Sequence, residues 1–340
     1  MSHSKRIISI TLLSLWLIAA GCGGFSPTST TDISALPTVT PPAATDLSAL
    51  PSLAPPVTTR PETVSGLPAF TNIFIIVMEN KDAAEIVGNP DAPYINALVE
   101  RYGSATQYYG VSHPSLPNYL ALTGGDTFSV TSDCTDCFID SRNLVDQLEA
   151  GERSWKAYME SMPAPCFVGD DTSLYVQKHN PFIYYDDVRT NPARCKQIVP
   201  FDQFATDLQS NTVPDFVWIT PNLCNDMHDC QIGTGDAWLK TWVPQILAAP
   251  AWQANSVLFI AFDEGKGSNT EGCCTYAAGG QVATLVVSPL VLPGFQSAVP
   301  YSHYSLLRTI EEAWQLPLLG KANCECTAPM SDFFQNPPAP

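Results

Sequence analysis

The chain has 340 residues, enough for one large α/β domain or two modest ones, and its 45% hydrophobic content supplies a full core. Only 14% of residues are charged, and the net charge is -17. Charges in residues 1–66 cancel (Lys5, Arg6 and Arg60 against Asp32, Asp46 and Glu62), so the acidic excess lies beyond them; this argues against nucleic acid as a partner and against adhesion to anionic lipid by charge.

Lys5 and Arg6 precede an apolar run from Ile7 to Ala20, whose 14 residues fall short of the roughly 20 that a membrane span needs. The run ends in Ala19-Ala20-Gly21-Cys22, small residues before a thiol, where a lipoprotein signal is cut after the cysteine is acylated. The expectation is a lipoprotein signal peptide over 1–21, with an ordinary signal peptide or an uncleaved anchor as alternatives. Residues 22–66 are rich in Pro, Thr, Ser and Ala, and Thr31-Asp32-Ile33-Ser34-Ala35-Leu36-Pro37 recurs nearly intact as Thr45-Asp46-Leu47-Ser48-Ala49-Leu50-Pro51. Such a stretch buries no core and reads as an extended tether. A catalytic domain is expected over 67–335, with an unstructured tail from Asn336. The protein is thus expected outside the cytoplasm, at the cell surface or in the periplasm, held to the membrane by its N-terminal lipid.

Setting Cys22 aside leaves ten of the 11 cysteines, an even number that suits disulfides in an exported chain. Local pairs are expected for Cys134 with Cys137, Cys166 with Cys195, and Cys224 with Cys230. Cys273 and Cys274 are expected to pair across to Cys324 and Cys326.

In chain order, Asn72 to Met78 is a short β-branched run, read as a buried strand. Ala92 to Tyr102 has helical spacing, and Leu116 to Leu122 predicts a helix ending at Gly124-Gly125. Phe216 to Thr220 and Val257 to Phe262 read as further buried strands, with an amphipathic helix over Ala237 to Leu247 between them. Val282 to Val287 is a fourth strand, and Tyr304 to Trp314 a helix with Leu306, Leu307, Ile310 and Trp314 on one stripe. Continuous apolar strands alternating with helices predict an α/β fold, a mostly parallel central sheet with helices on both faces.

Three of these strands run into acidic residues: the first into Glu79-Asn80, the second through Pro221 towards Asn225-Asp226-Met227-His228-Asp229, the third into Asp263-Glu264-Gly265. Ligand sites of open α/β sheets lie outside the carboxyl ends of the strands. Carboxylates crowded there repel unless a cation balances them, so one or more divalent metal ions are expected, with Zn, Mn, Fe, Mg and Ca all open. Taken singly, Asp263-Glu264-Gly265 reads as a turn, the Asn225–Asp229 stretch as a solvated disulfide loop, and Glu79-Asn80 as a helix cap.

Ser112-His113-Pro114-Ser115-Leu116-Pro117-Asn118-Tyr119 leads into the second helix. A serine there points its hydroxyl at a helix N-terminus, which favours anions, and a metal beside it makes an alkoxide nucleophile. Asn118, one turn on, is expected to donate to a phosphoryl oxygen. The plain alternative is that Ser115 caps the helix.

Six segments occur in one order: Met78-Glu79-Asn80-Lys81, His113 to Tyr119, Lys178-His179-Asn180-Pro181-Phe182, Asn225 to Asp229, Asp263-Glu264-Gly265, and His303-Tyr304-Ser305-Leu306-Leu307-Arg308-Thr309-Ile310-Glu311. Over roughly Phe70 to Pro317 the chain resembles the phosphoesterase family of bacterial and fungal acid phosphatases and phospholipases C, whose fold is similar to that of alkaline phosphatase. The resemblance implies Glu79 and Asn80 as a first metal-ligand pair, Asp263 and Glu264 as a later one, and Ser115 as nucleophile. It implies that Asp226 and His228 lie against the metal or phosphate, and that His303 faces the site. Phospholipase C members carry Arg where Tyr119 stands and extend further at the C-terminus. Sulfatases of the wider fold also need that Arg. The function expected is therefore a phosphomonoesterase: Ser115 attacks phosphorus, and His228, His303 or His113 protonates the leaving oxygen. The substrate is a phosphorylated small molecule or a phospholipid. The alternatives are a phospholipase C or phosphodiesterase, and, in another class, a surface lipoprotein without activity.

Overall fold

The computed structural model describes residues 66–170 and 174–335. The expected signal peptide, all of the expected tether but Gly66, and the expected tail from Asn336 lie outside the described residues. Ten strands are described: β1 Ile73–Met78, β2 Gly103–Ala105, β3 Tyr108–Tyr109, β4 Trp155–Met159, β5 Ile198–Pro200, β6 Phe216–Thr220, β7 Val257–Phe262, β8 Thr284–Val287, β9 Phe295–Ser297 and β10 Tyr301–Ser302. The main helices are α1 Pro93–Arg101, α2 Ser115–Gly124, α3 Leu144–Ala150, α4 Asp202–Ser210, α5 Ile232–Ala248 and α6 His303–Ala313.

Eight strands form one sheet in the order β5-β4-β6-β1-β7-β8-β2-β9, and β10 pairs with β3 in a separate ribbon. From β5 to β7 every pairing is parallel. Within the expected fourth strand, β8 runs antiparallel to both β7 and β2, so the sheet is mostly parallel, as expected. Every residue of β1, β6 and β7 is buried, so the sheet centre is covered on both faces, which is why these strands show no alternation of polarity.

Helix α2 is also buried on all sides, Ser115 through Gly124, and packs against α6 and the turns at Gln177–His179 and Pro181–Tyr184. It ends where Gly125 takes the left-handed conformation, φ 71°, and a Cβ there would meet the Leu319 carbonyl oxygen at 2.5 Å. Five disulfides use all ten described cysteines. The first three match the expected local pairs. Cys273–Cys274 and Cys324–Cys326 pair within their groups instead of across them, with Cα separations of 3.8 and 5.1 Å, and the two groups lie side by side, Cys326 Sγ 3.7 Å from the Cys274 carbonyl oxygen. Among the described residues, no helix is long and apolar enough to cross a membrane.

Candidate active site

Strands β6, β1 and β7 are neighbours running the same way, so their carboxyl ends share one edge. Glu79, Asp226 and Asp263 stand there with no exposed surface, and Glu264 is nearly as buried. The backbone locks them together. Glu79 N–H donates to the Asp226 carbonyl and Asp263 N–H to the Met78 carbonyl, both at 2.9 Å. Asn80 takes the left-handed conformation, φ 48°, and its N–H donates to Asp263 Oδ1 at 3.0 Å.

The loop before α2 closes over this edge. Gly110 lies so near that a Cβ would meet the Asp263 carbonyl oxygen at 2.8 Å. Ser115 then opens the helix with its Oγ 3.3 Å from Glu79 Oε2 and 3.4 Å from Glu264 Oε1. The competing Ser112 turns its hydroxyl to the His113 carbonyl, 3.2 Å away.

Burial raises all four carboxyls. Glu79 is pushed up to about 7 against donation from Tyr119 and the charge of Lys178. Asp226 rises to about 6 by burial, helped by Glu79. Glu264 rises to about 8 by burial and the charge of Asp263. Asp263 is raised well above the carboxylate range by burial and by Glu79. Such a cluster stays ionised only if a cation joins it.

The residues fit a hard cation. Asp226 Oδ2 and Asp263 Oδ2 are buried without a hydrogen-bond partner. The Asn80 side-chain oxygen faces only acceptors, an orientation that suits a metal ligand; turned round, its nitrogen would donate to Asp263 Oδ1 and Glu79 Oε2, each 3.1 Å away. Oxygen donors of this kind suit divalent ions. Independently, Glu79, His179 and Asp226 offer ligand atoms all within 4.8 Å of one another, a group that could hold a metal ion.

Every histidine after His3 reaches this edge, in different ways. His113 Nδ1 lies 2.6 Å from Glu264 Oε2, and its Nε2 is 2.7 Å from the Asn269 carbonyl oxygen, so both ring nitrogens meet acceptors. His228 sits at the rim, a quarter exposed, with Nδ1 2.6 Å from Asp229 Oδ1. His303 is placed behind the edge: Nε2 contacts the Asp263 carbonyl and Nδ1 is 3.1 Å from the Tyr108 hydroxyl. Burial pushes it down to about 4. Asn118 is also placed otherwise than expected. Its oxygen accepts from Val111 and Ser112 N–H at 2.7 and 3.0 Å, and its nitrogen donates to the Ser112 and Pro114 carbonyls at 2.8 and 3.2 Å. The amide braces the loop under Ser115.

Two side chains outside the expected catalytic and metal-ligand sets also stand at this edge, one of them in the Lys178–Phe182 segment, for which a substrate contact and a packed structural His179 are both expected. His179 places Nε2 3.2 Å from Glu79 Oε2 and Nδ1 3.5 Å from Asp226 Oδ2, and burial lowers its pKa. Tyr119 donates its hydroxyl to Glu79 Oε1 and stacks on His179 with ring centroids 5.3 Å apart. The segment Lys178–Phe182 was the available signal for the first, and the place of Tyr119 one turn after Ser115 for the second.

The site therefore gathers the ends of three strands, one helix entrance and the 178–179 turn, drawn from most of the folded chain. Comparison with known proteins covers the same span. The sequence pattern of the Phosphoesterase family matches residues 89–317. An acid phosphatase of Aspergillus fumigatus is 32% identical over 265 residues, which is 75% of this chain and 57% of that protein. A phosphatidylinositol-3-phosphatase of Mycobacterium tuberculosis is 33% identical over 263 residues, 76% of this chain and 81% of that protein. The chain spans about three fifths of the length of the fungal acid phosphatases it matches. A solved protein in the alkaline phosphatase superfamily, from Vibrio parahaemolyticus, aligns with a TM-score of 0.48 at 12% identity over 74% of this chain and 71% of that one. Since the family pattern extends over most of the folded region, the chain belongs to the Phosphoesterase family.

Proposed function

We propose that this protein is an exported, metal-dependent phosphomonoesterase that works through Ser115. The observation that carries this reading is Ser115 Oγ, buried between Glu79 and Glu264 at the edge where three parallel strands end. Glu79, Asn80, Asp263 and Glu264 would hold a divalent ion, with His179 and Asp226 forming a second group of donors beside it. Bound there, such an ion would supply neutralisation of charge on the phosphoryl oxygens and would lower the hydroxyl pKa.

The chain's own residues do the rest. Ser115 gives up its proton to a neighbouring carboxylate, and its Oγ forms a bond to phosphorus as the bond to the leaving oxygen breaks. His228 is the best-placed proton donor for that oxygen, because it stands at the rim while Asp229 orients its ring. Water then attacks the phosphoserine, regenerating the hydroxyl and releasing phosphate. His113 balances charge on Glu264. His303 and Asn118 hold the backbone of Asp263 and the Ser115 loop.

The relatives named acid phosphatase and phosphatidylinositol-3-phosphatase support a monoester reaction over a phospholipase C or diesterase one, and the second admits phosphorylated lipid headgroups as substrates. Five disulfides support an oxidising compartment. Anchoring through Cys22 is tested by fractionation: Cys22→Ser should move the protein out of the membrane fraction and abolish labelling by palmitate. The activity is tested by release of p-nitrophenol from its phosphate by purified protein, with and without chelator. Release that stops on chelation and returns with a divalent metal is expected. No release under any metal would leave the non-catalytic lipoprotein reading.

A further inference from the structure

Asp133 and Lys178 lie beside the carboxylate cluster and have no part in the chemistry above. Asp133 gives one carboxylate oxygen to each of two donors. Its Oδ1 accepts the backbone N–H of Leu116, in the first turn of α2, at 3.0 Å, and its Oδ2 accepts Lys178 Nζ at 2.9 Å. The loop carrying Asp133 is closed by the Cys134–Cys137 disulfide. It is also tied to the Lys178 segment: Gln177 Nε2 donates to the Thr135 carbonyl at 2.9 Å, and the Tyr184 hydroxyl to the Cys134 carbonyl at 2.8 Å. One stapled loop thereby fixes the ammonium of Lys178 and the helix entrance that presents Ser115.

The pair is not a core ion pair. The Lys178 and Asp133 side chains are 18% and 26% exposed, so both reach solvent. Besides Asp133, the ammonium lies within electrostatic reach of Glu79 and Asp263. Asp133 is the one hydrogen-bond acceptor recorded for the ammonium among the described residues, and an ammonium has three N–H groups.

We propose that Lys178, positioned by Asp133, binds the non-reacting oxygens of the substrate phosphate and makes the site prefer monoesters to diesters. This deepens the phosphomonoesterase reading and rests on it. A phosphomonoester carries close to two negative charges at neutral pH, because its second ionisation lies near pKa 6. A diester carries one, and one of its outer oxygens is masked by carbon. A charge-assisted hydrogen bond to the extra bare oxygen therefore rewards the monoester alone. Asp133 is a positioning residue in this scheme. A Lys178 that merely braced the loop would affect both esters alike.

The test uses the full metal-loaded protein and its K178M, K178R and D133N variants, with folding checked by circular dichroism. Inorganic phosphate binding is measured by calorimetry, and kcat and KM are measured on p-nitrophenyl phosphate and bis(p-nitrophenyl) phosphate. K178M should weaken phosphate binding by about 10-fold or more, the scale of one hydrogen bond to a charged group, and raise the monoester KM in step. Its kcat/KM on the diester should change far less. K178R should recover part of the loss, and D133N should raise the monoester KM by about 3–10-fold with kcat nearly held. Phosphate affinity unchanged in K178M, or equal losses on both esters, would overturn the proposal. Wild-type protein inert towards the monoester would count against the phosphatase reading instead, and the phosphate titration would still decide the role of Lys178.

Discussion

Two buried carboxylates, Asp207 and Asp263, show what this chain supplies for itself and what it leaves to be supplied. Asp207 of α4 accepts from Lys156 Nζ at 2.6 Å, the Tyr158 hydroxyl at 2.7 Å, Gln203 Nε2 at 2.9 Å and Thr212 Oγ1 at 3.1 Å. Burial opposes its ionisation, but Lys156 and the other donors prevail and hold the carboxyl below its usual range. Asp263 is just as shielded, yet its Oδ2 has no hydrogen-bond partner, and the carboxyls of Glu79 and Glu264 crowd it. The first carboxylate has its cation in the chain. The second is held by β1, β6 and β7 in a place where charge is short, and perturbed groups of that kind gather where chemistry is done.

This contrast predicts effects of different size and sign. The largest is catalytic. Ser115→Ala should lower turnover of p-nitrophenyl phosphate by about 10³-fold or more, the scale of losing a nucleophile that works within a unit, whereas Ser112→Ala should do far less. Trapping labelled phosphate on the peptide containing Ser115 after acid quench would confirm the covalent step. Full activity in Ser115→Ala would leave attack by water as the surviving route.

Next comes stability, where the two sites should answer in opposite directions. Lys156→Met leaves Asp207 buried without its cation and should cost about 2–3 kcal/mol in denaturant unfolding. Asp263→Asn removes a carboxyl that has no cation in the chain and that the metal-free fold must hold protonated, so the chelated protein should become more stable while activity is lost. Destabilisation of the chelated protein by Asp263→Asn would refute the account of a charge-short edge.

The smallest effect is the pH dependence of the chelated protein. Glu79 and Glu264, at about 7 and 8 in the folded chain, lie above the 4.5 ordinary for a solvated glutamate. Through the window from about pH 6.5 to 8 the folded state therefore binds more protons than the unfolded one, and stability falls as pH rises. The slope is at most about 1.4 kcal/mol per pH unit for each group. Burial lowers His303 and His179 below the ordinary 6.5, so the unfolded chain takes up their protons at the acid end of this window and offsets part of the fall there. Thermal melts with chelator should show the fall, and saturating divalent metal should flatten it. A flat profile with chelator would contradict the raised carboxyls.

The comparison also explains what could be read from the sequence. Strands β1, β6 and β7 are short, wholly apolar and buried on both faces, so their limits and the acidic residues after them were legible. Strands β2, β5 and β9 have three residues each, and β4 carries Lys156, so no apolar run marks them. The reversed direction of β8 depends on its partners rather than its composition. Helix α5 starts at Ile232, five residues before the expected Ala237, because Gly233 and Gly235 read as loop; Gly235 is there since a Cβ would meet Met227 at 2.5 Å. At the candidate site, the acidic residues that follow strands directly could be placed at one sheet edge from the sequence. His179 lies in an isolated turn, and its place against Glu79 and Asp226 comes from packing with Tyr119. The turning of Asn118 and His303 towards backbone carbonyls was equally invisible, because the groups they meet are set by the loops around them.

The central claim is that the carboxyl edge of the sheet is completed by a metal ion, and elemental analysis of purified protein addresses it most directly. Wild type should carry a divalent metal. Asp263→Ala and Glu79→Ala should lose it while circular dichroism shows the fold retained, and Asp207→Asn should keep it. A metal content unchanged in both Asp263→Ala and Glu79→Ala, or a wild type that binds no divalent metal, would contradict the account.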